Sequence, residues 1–193
     1  MSTRLFQWAI LAILLVSAIL INVENILLMR MFSQRAELAR ARPGETVGPL
    51  SVKRVDAEGN EGEKELLDFS DSPVRQVLFL LSPTCNYCSD NLPYWTTISK
   101  GLDRERFRVI VLATKGLEMD RTREQLQEYA RLLQADVRVA SDQGILRRYR
   151  LTTTPQTLIL GTDGRVEKVW LGRLSSWLTW REVTEVLGID TAY

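Results

Sequence analysis

The chain contains no histidine. That absence excludes Ser–His–Asp and Cys–His catalysis, histidine metal sites, and haem attachment at a CxxCH sequence. Cysteine is nearly absent as well, with two residues in a chain of 193. Two thiolates cannot complete a tetrahedral zinc site. No charge of one sign dominates: 25 Lys+Arg stand against 24 Asp+Glu. A basic footprint for nucleic acid is therefore missing, and no nucleic-acid partner is expected.

What is present is concentrated in two places. The two cysteines sit together as Cys85-Asn86-Tyr87-Cys88. They follow an apolar run, Val77-Leu78-Phe79-Leu80-Leu81, which reads as a buried strand. They precede a segment that reads as a helix interrupted by Pro93. A CxxC between a strand and a helix start suits thiol–disulfide chemistry. A helix N-terminus stabilises a thiolate through unpaired N–H groups and the macrodipole. Cys85 is the expected nucleophile, partly exposed at that terminus. Cys88, one turn further in, is the expected resolving thiol. The alternative of an inert bridge is weakly motivated, because closing so small a loop constrains the unfolded chain little.

The second concentration is the N-terminus. Phe6 to Val23 reads FQWAILAILLVSAILINV, without a charge. Its length is near the lower limit for a membrane-spanning helix and exceeds the usual apolar core of a signal peptide. Residues 1–24 are read as a transmembrane anchor, with membrane contact through residues 6–23. Residues 25–42 are read as a helical stalk stopped by Pro43-Gly44. Residues 43–193 form the globular domain. Lysine and arginine counting, with Arg30, Arg35, Arg40 and Arg42 after the span and Arg4 before it, places the C-terminal side in the cytoplasm. Disulfide exchange favours the opposite, extracytoplasmic side. The chemistry is given the greater weight here.

Within the domain, strands are expected at 50–55, 63–67, 77–81, 107–113, 137–140, 156–160 and 165–171. Turn residues fill 56–62. Helices are expected after Cys88, at 121–133, at 142–149 with Asp142 as N-cap, and from Ser175 or Ser176 to Leu187. Gly161-Thr162-Asp163-Gly164 reads as a tight hairpin turn, and Gly188 as a helix stop. Alternation first and a hairpin last gives a mixed central sheet with helices on both faces, an α/β three-layer fold. Trp170, Trp177 and Trp180 read as core packing. Arg147-Arg148 reads as a solvated helix face.

The strand–CxxC–helix order, Thr153-Thr154-Pro155 before a strand and the Asp163-Gly164 hairpin resemble the thioredoxin superfamily. With the anchor and the added leading hairpin, the chain most resembles the membrane-anchored TlpA/ResA-like thiol–disulfide oxidoreductases. Ser82-Pro83-Thr84-Cys85-Asn86-Tyr87-Cys88 with Leu92-Pro93 also resembles the methylamine-utilisation accessory proteins of the MauD type. The resemblance spans residues 43–188. It implies that Pro155 is cis and faces the CxxC, that the Thr154 backbone and Pro155 bind substrate, and that no cofactor is needed. It implies protein thiol or disulfide substrates and a redox partner, most simply with the chain acting as a reductase. The chain departs from the family in lacking a tryptophan before the CxxC. Phe79 stands where thioredoxin has a buried acid. Two other readings share parts of the pattern. A peroxiredoxin-like thiol peroxidase is opposed by Leu78, which stands where its motif has proline. A thioredoxin-fold metallochaperone lacks its histidine.

Overall fold

The computed structural model describes residues 2–56, 60–83, 85–114, 119–140 and 142–190. Residues 57–59 of the expected turn, and Thr84 of the approach to Cys85, lie outside the described residues. The chain divides into two compact units, Met1–Leu38 and Ala39–Tyr193.

The first unit is carried by one helix, α1 (Ser2–Ala39). No glycine or proline interrupts its sequence, so the backbone N–H and C=O groups between its two end turns can be satisfied along the helix itself. A window of 19 residues, Ile13–Met31, has a mean hydropathy of 1.8 and is long and apolar enough to cross a membrane. It extends past the charge-free run because it admits Glu24 and Arg30. Of the two side-chain amides in this stretch, Asn22 and Asn25, the first donates to the Ala18 carbonyl at 2.8 Å. That bond lowers the cost of placing the group in an apolar medium. The helix stops at Ala39 and does not reach Arg42. From Arg40 the chain is tied into the second unit: Arg40 bridges Leu151, Ala41 is buried, and Gly44 N–H donates to Val166 O at 2.8 Å.

The second unit is built on a seven-stranded sheet. Its strands are β1 (Leu50–Val55), β2 (Glu61–Leu67), β3 (Arg75–Leu81), β4 (Phe107–Thr114), β5 (Asp136–Ala140), β6 (Gln156–Leu160) and β7 (Val166–Leu171). The order across the sheet is β2-β1-β5-β4-β3-β6-β7. β3, β4 and β5 are parallel neighbours. α2 (Asn86–Gly101) and α3 (Met119–Leu133) supply their crossovers. The antiparallel hairpins β1–β2 and β6–β7 close the two ends, against β5 and β3. α4 (Gln143–Arg148) and α5 (Trp177–Leu187) complete the fold.

Strand β3 explains how one apolar run serves two cores. Val77, Phe79 and Leu81 point into a cluster with Trp95, Ile98, Leu126, Tyr129, Leu133, Val183 and Leu187 of α2, α3 and α5. Leu78 and Leu80 point the other way, toward Ile110, Leu112, Leu146 and Leu151. Successive strand side chains face opposite ways, so a strand buried on both sides must be apolar throughout.

Local signals act as their chemistry dictates. Asp142 accepts from the Gly144 and Ile145 N–H groups at 2.8 and 3.1 Å, capping α4. Gly188 ends α5 in the left-handed region at φ +67°. Arg147 and Arg148 are exposed. The tryptophans divide. Trp170 is buried and Trp180 is half-buried against Tyr94, but Trp177 is 66% exposed in the first turn of α5. The core reading fails for Trp177 because its position faces solvent, where Arg181 lies over its ring.

Candidate functional site

The site forms where β3 ends and α2 begins. Cys85 is the N-cap residue of α2, with extended backbone at φ −92° and ψ 104°. Its N–H donates to the Ser82 carbonyl at 3.0 Å, turning the chain from strand to helix. Its side chain does not cap the helix. The thiol donates instead to the Thr154 carbonyl oxygen at 3.5 Å. Cys85 is partly exposed and Cys88 is fully buried, in the cluster with Phe79, Trp95 and Tyr129.

The facing loop comes from the other end of the sheet. The Thr154–Pro155 peptide is cis. Pro155 is buried and Thr154 half-buried. Gln156, the first residue of β6, holds this loop from below. Its Nε2 donates to Arg150 O and Thr153 O at 3.1 and 2.8 Å, and its Oε1 accepts from Ala41 N–H at 3.3 Å. All four residues expected at the site are therefore gathered in one place: Cys85 and Thr154 are partly exposed, and Pro155 and Cys88 are buried.

Beside them lies a cavity of about 270 Å³, lined by Tyr87, Thr154, Pro155, Leu171, Gly172 and Arg173. Tyr87 is 58% exposed. The Arg173 guanidinium lies 5.8 Å from the centre of its ring and pairs with Asp90 at 3.4 Å.

Behind the dithiol, the place of a buried acid is filled by an apolar stack. Phe79 and Trp95 stack with ring centres 5.1 Å apart. Thr157, opposite Phe79 in the β3–β6 register, accepts from the Trp95 indole N–H at 2.8 Å. Burial pushes the Cys88 thiol up to about 12, helped by its hydrogen bond with Cys85 and opposed by the Ser82 backbone and the Thr154 side chain. Burial also raises Tyr129 to about 12, with a further push from a thiolate at Cys88 and an opposing hydrogen bond from Ser89. Sequence inspection singled out neither Tyr129 nor Thr157 for the site. Nothing in their spacing from the cysteines announces that they meet there.

Both shifts lift the folded-state value above the ordinary one, 9.0 for Cys88 and 10.0 for Tyr129. As pH rises, the unfolded chain ionises first. The stabilisation is complete below the ordinary values and disappears as pH climbs toward 12. The urea midpoint of the reduced protein should fall steadily above about pH 9, and Cys88→Ala or Tyr129→Phe should flatten part of the fall. A midpoint that holds constant from about pH 8 to 11 would contradict this assignment.

No family model matches the chain. No curated protein matches it either. Solved structures do. StoA from Bacillus subtilis superposes with a TM-score of 0.53 at 16% identity, over 74% of this chain and 98% of its own. The thioredoxin domain of a thiol-disulfide oxidoreductase from Bacteroides vulgatus gives 0.57 at 12% identity, over 77% and 99%. The chain has the thioredoxin fold. A secreted disulfide oxidoreductase of Mycobacterium tuberculosis, with a TM-score of 0.50 at 15% identity over 74% and 95%, shares that fold. In this chain the thioredoxin fold brings the end of β3, the start of α2 and the loop before β6 to one point. Those are the three places that carry Cys85, Cys88 and Thr154-Pro155.

Proposed function

We propose that this protein is a membrane-tethered thiol–disulfide oxidoreductase that reduces disulfides in polypeptide substrates. One observation carries the reading: a partly exposed thiol at a helix start touches the Thr154 carbonyl, with a buried second thiol one turn behind it. The Cys85 thiolate attacks one sulfur of a substrate disulfide. That bond breaks, a mixed disulfide forms, and the released substrate thiolate takes up a proton. Cys88 then loses its proton and attacks the Cys85 sulfur. The second substrate thiol leaves, and Cys85 and Cys88 are joined. Two electrons have passed to the substrate, and a redox partner must restore them. The substrate chain pairs with the extended backbone at Thr154, and the cavity beside Pro155 receives a neighbouring side chain.

The state of Cys88 supports the reducing direction. An oxidase must expel its buried cysteine as a thiolate when a substrate thiolate attacks Cys85. A thiol held at about 12 is a poor leaving group, so the disulfide form is stable and the dithiol gives up electrons readily. Equilibration of the full chain with dithiothreitol buffers should give a potential near thioredoxin's, on the order of −270 mV, and far from the roughly −120 mV of a strong oxidant. A value near the latter would reverse the assignment.

We read α1 as the tether and the domain as extracytoplasmic, because disulfide exchange favours an oxidising compartment. Arg35, Arg40 and Arg42 follow the apolar span and count toward a cytoplasmic C-terminal side; the thiol–disulfide chemistry is what favours the opposite side. A thiol-reactive, membrane-impermeant label applied to intact cells should modify Cys85. Labelling only after lysis would place the domain in the cytoplasm.

A further inference from the structure

Asn91 is fully buried on α2, three residues after Cys88, so both lie on one helix face. A buried amide needs partners for both its ends. Here the Nδ2 group donates to the Gly172 carbonyl at 2.9 Å, and Oδ1 accepts from the Leu174 N–H at 2.9 Å. The assignment of the two ends follows from the partners, since a carbonyl can only accept and an N–H can only donate. Gly172 is tied on its other side as well: its own N–H donates to Pro155 O at 2.8 Å. Its backbone is left-handed at φ +86°, and a Cβ there would meet nothing within 4 Å. Glycine is present for its conformation, not for lack of space.

These bonds form a closed circuit. Cys85 touches Thr154, Pro155 holds Gly172, Gly172 holds Asn91, and Asn91 returns to the helix that carries both cysteines. Cys85 and Asn91 sit on one rigid element. Thr154 and Pro155 sit on a loop fixed from below by Gln156. The 172–174 segment is the second support of that loop, and Asn91 is what holds the segment to α2.

We infer that Asn91 is a positioning residue: by clamping the 172–174 loop to the CxxC helix, it holds the Thr154–Pro155 edge at the distance from Cys85 that a docked polypeptide disulfide requires. This rests on the proposed exchange reaction and adds to it a requirement specific to polypeptide substrates. A small disulfide that touches only the sulfur does not need the edge.

The test compares two disulfides on the reduced full chain in detergent micelles. One is a short peptide whose single cysteine is joined to thionitrobenzoate. The other is dithiobis(nitrobenzoate), which has no peptide. In both, Cys85 attacks a sulfur and releases coloured thionitrobenzoate. Cys88 then closes the Cys85–Cys88 disulfide and frees the peptide thiol or, with the small reagent, a second thionitrobenzoate. The native chain should prefer the peptide. Asn91→Ala should cut that preference about tenfold, while the rate with the small disulfide stays within about twofold. Asn91→Asp, which matches the native side chain in size and keeps the acceptor for Leu174 but loses the donor for Gly172, should cut it as well. An unchanged preference in either folded variant overturns the inference. So does unfolding of both variants, which would make Asn91 a structural residue only. A native chain that reacts well with the small disulfide but shows no preference for the peptide would overturn the docking step itself, and the role of Asn91 with it. A native chain inert to both would overturn the exchange reading.

Discussion

A Cys88→Ser protein is expected to accumulate as a covalent complex with its substrate. Cys85 keeps its place at the α2 N-terminus and its contact with Thr154 O, so the first attack proceeds. The second cannot, because a hydroxyl at position 88 does not displace a thiolate from sulfur. Non-reducing electrophoresis of membranes from cells carrying this variant should show a band above the free protein. That band should collapse on reduction, and mass spectrometry of it should name the partner. Cys85→Ser should form no such band and should lower disulfide exchange by at least about a thousandfold, since the one thiol left, Cys88, is fully buried and held protonated. Trapping by the Cys85→Ser protein but not by the Cys88→Ser protein would reverse the roles of the two residues. No trapping by either, together with retained exchange, would remove the CxxC from the reaction.

Trp95→Ala is expected to be the most damaging single change to stability outside the cysteines. Trp95 is fully buried, stacks on Phe79 and bonds Thr157 through its indole N–H. Removing it opens a large cavity between α2 and β3 and leaves the Thr157 hydroxyl without its donor. Truncations of this kind cost about 3–5 kcal/mol. That is a large share of the roughly 5–15 kcal/mol that holds a domain folded. The thermal midpoint of the reduced protein should fall by about 10 °C or more. The cavity lies beside Cys88, so the loss should also loosen the environment that keeps this thiol protonated. Alkylation of Cys88 in a Cys85→Ser background should then become measurably faster near pH 8. A drop of under about 1 kcal/mol in unfolding free energy would show that the stack contributes little. Trp95→Phe, which refills most of the space but lacks the N–H, separates packing from the hydrogen bond.

The regular structure of the domain is largely legible residue by residue. The five-residue apolar run at Val77 to Leu81 announces a strand covered on both sides, because no polar residue offers a solvent face. Asp142, Gly164 and Gly188 each mark a boundary through local backbone chemistry that needs no distant partner. The thiol pair is legible for the same reason: three-residue spacing at a helix start places one sulfur at the terminus and the other one turn inside. Tryptophan burial is less legible. The spacing of Trp177 and Trp180 does not say which flank of α5 meets the sheet, and Trp177 falls on the exposed one. The end of α1 is also set at a distance, by Arg40 bridging Leu151 and Ala41 reaching Gln156.

The amino-acid sequence by itself determined the chemistry available to this protein. The absence of histidine removes histidine chemistry, and the CxxC spacing of the two cysteines points to thiol–disulfide exchange. It also determined an apolar helix at the N-terminus and the strand that delivers Cys85 to a helix start. Only the tertiary structure decided what surrounds that dithiol. Thr154 and Asn91 reach it or its supports across 69 and 81 residues of chain. The Phe79–Trp95 stack and Thr157 occupy the ground behind Cys88 because β3, β6 and α2 converge there. Contacts of that kind depend on which strands become neighbours, and sheet order is a property of the whole chain rather than of any local run of it.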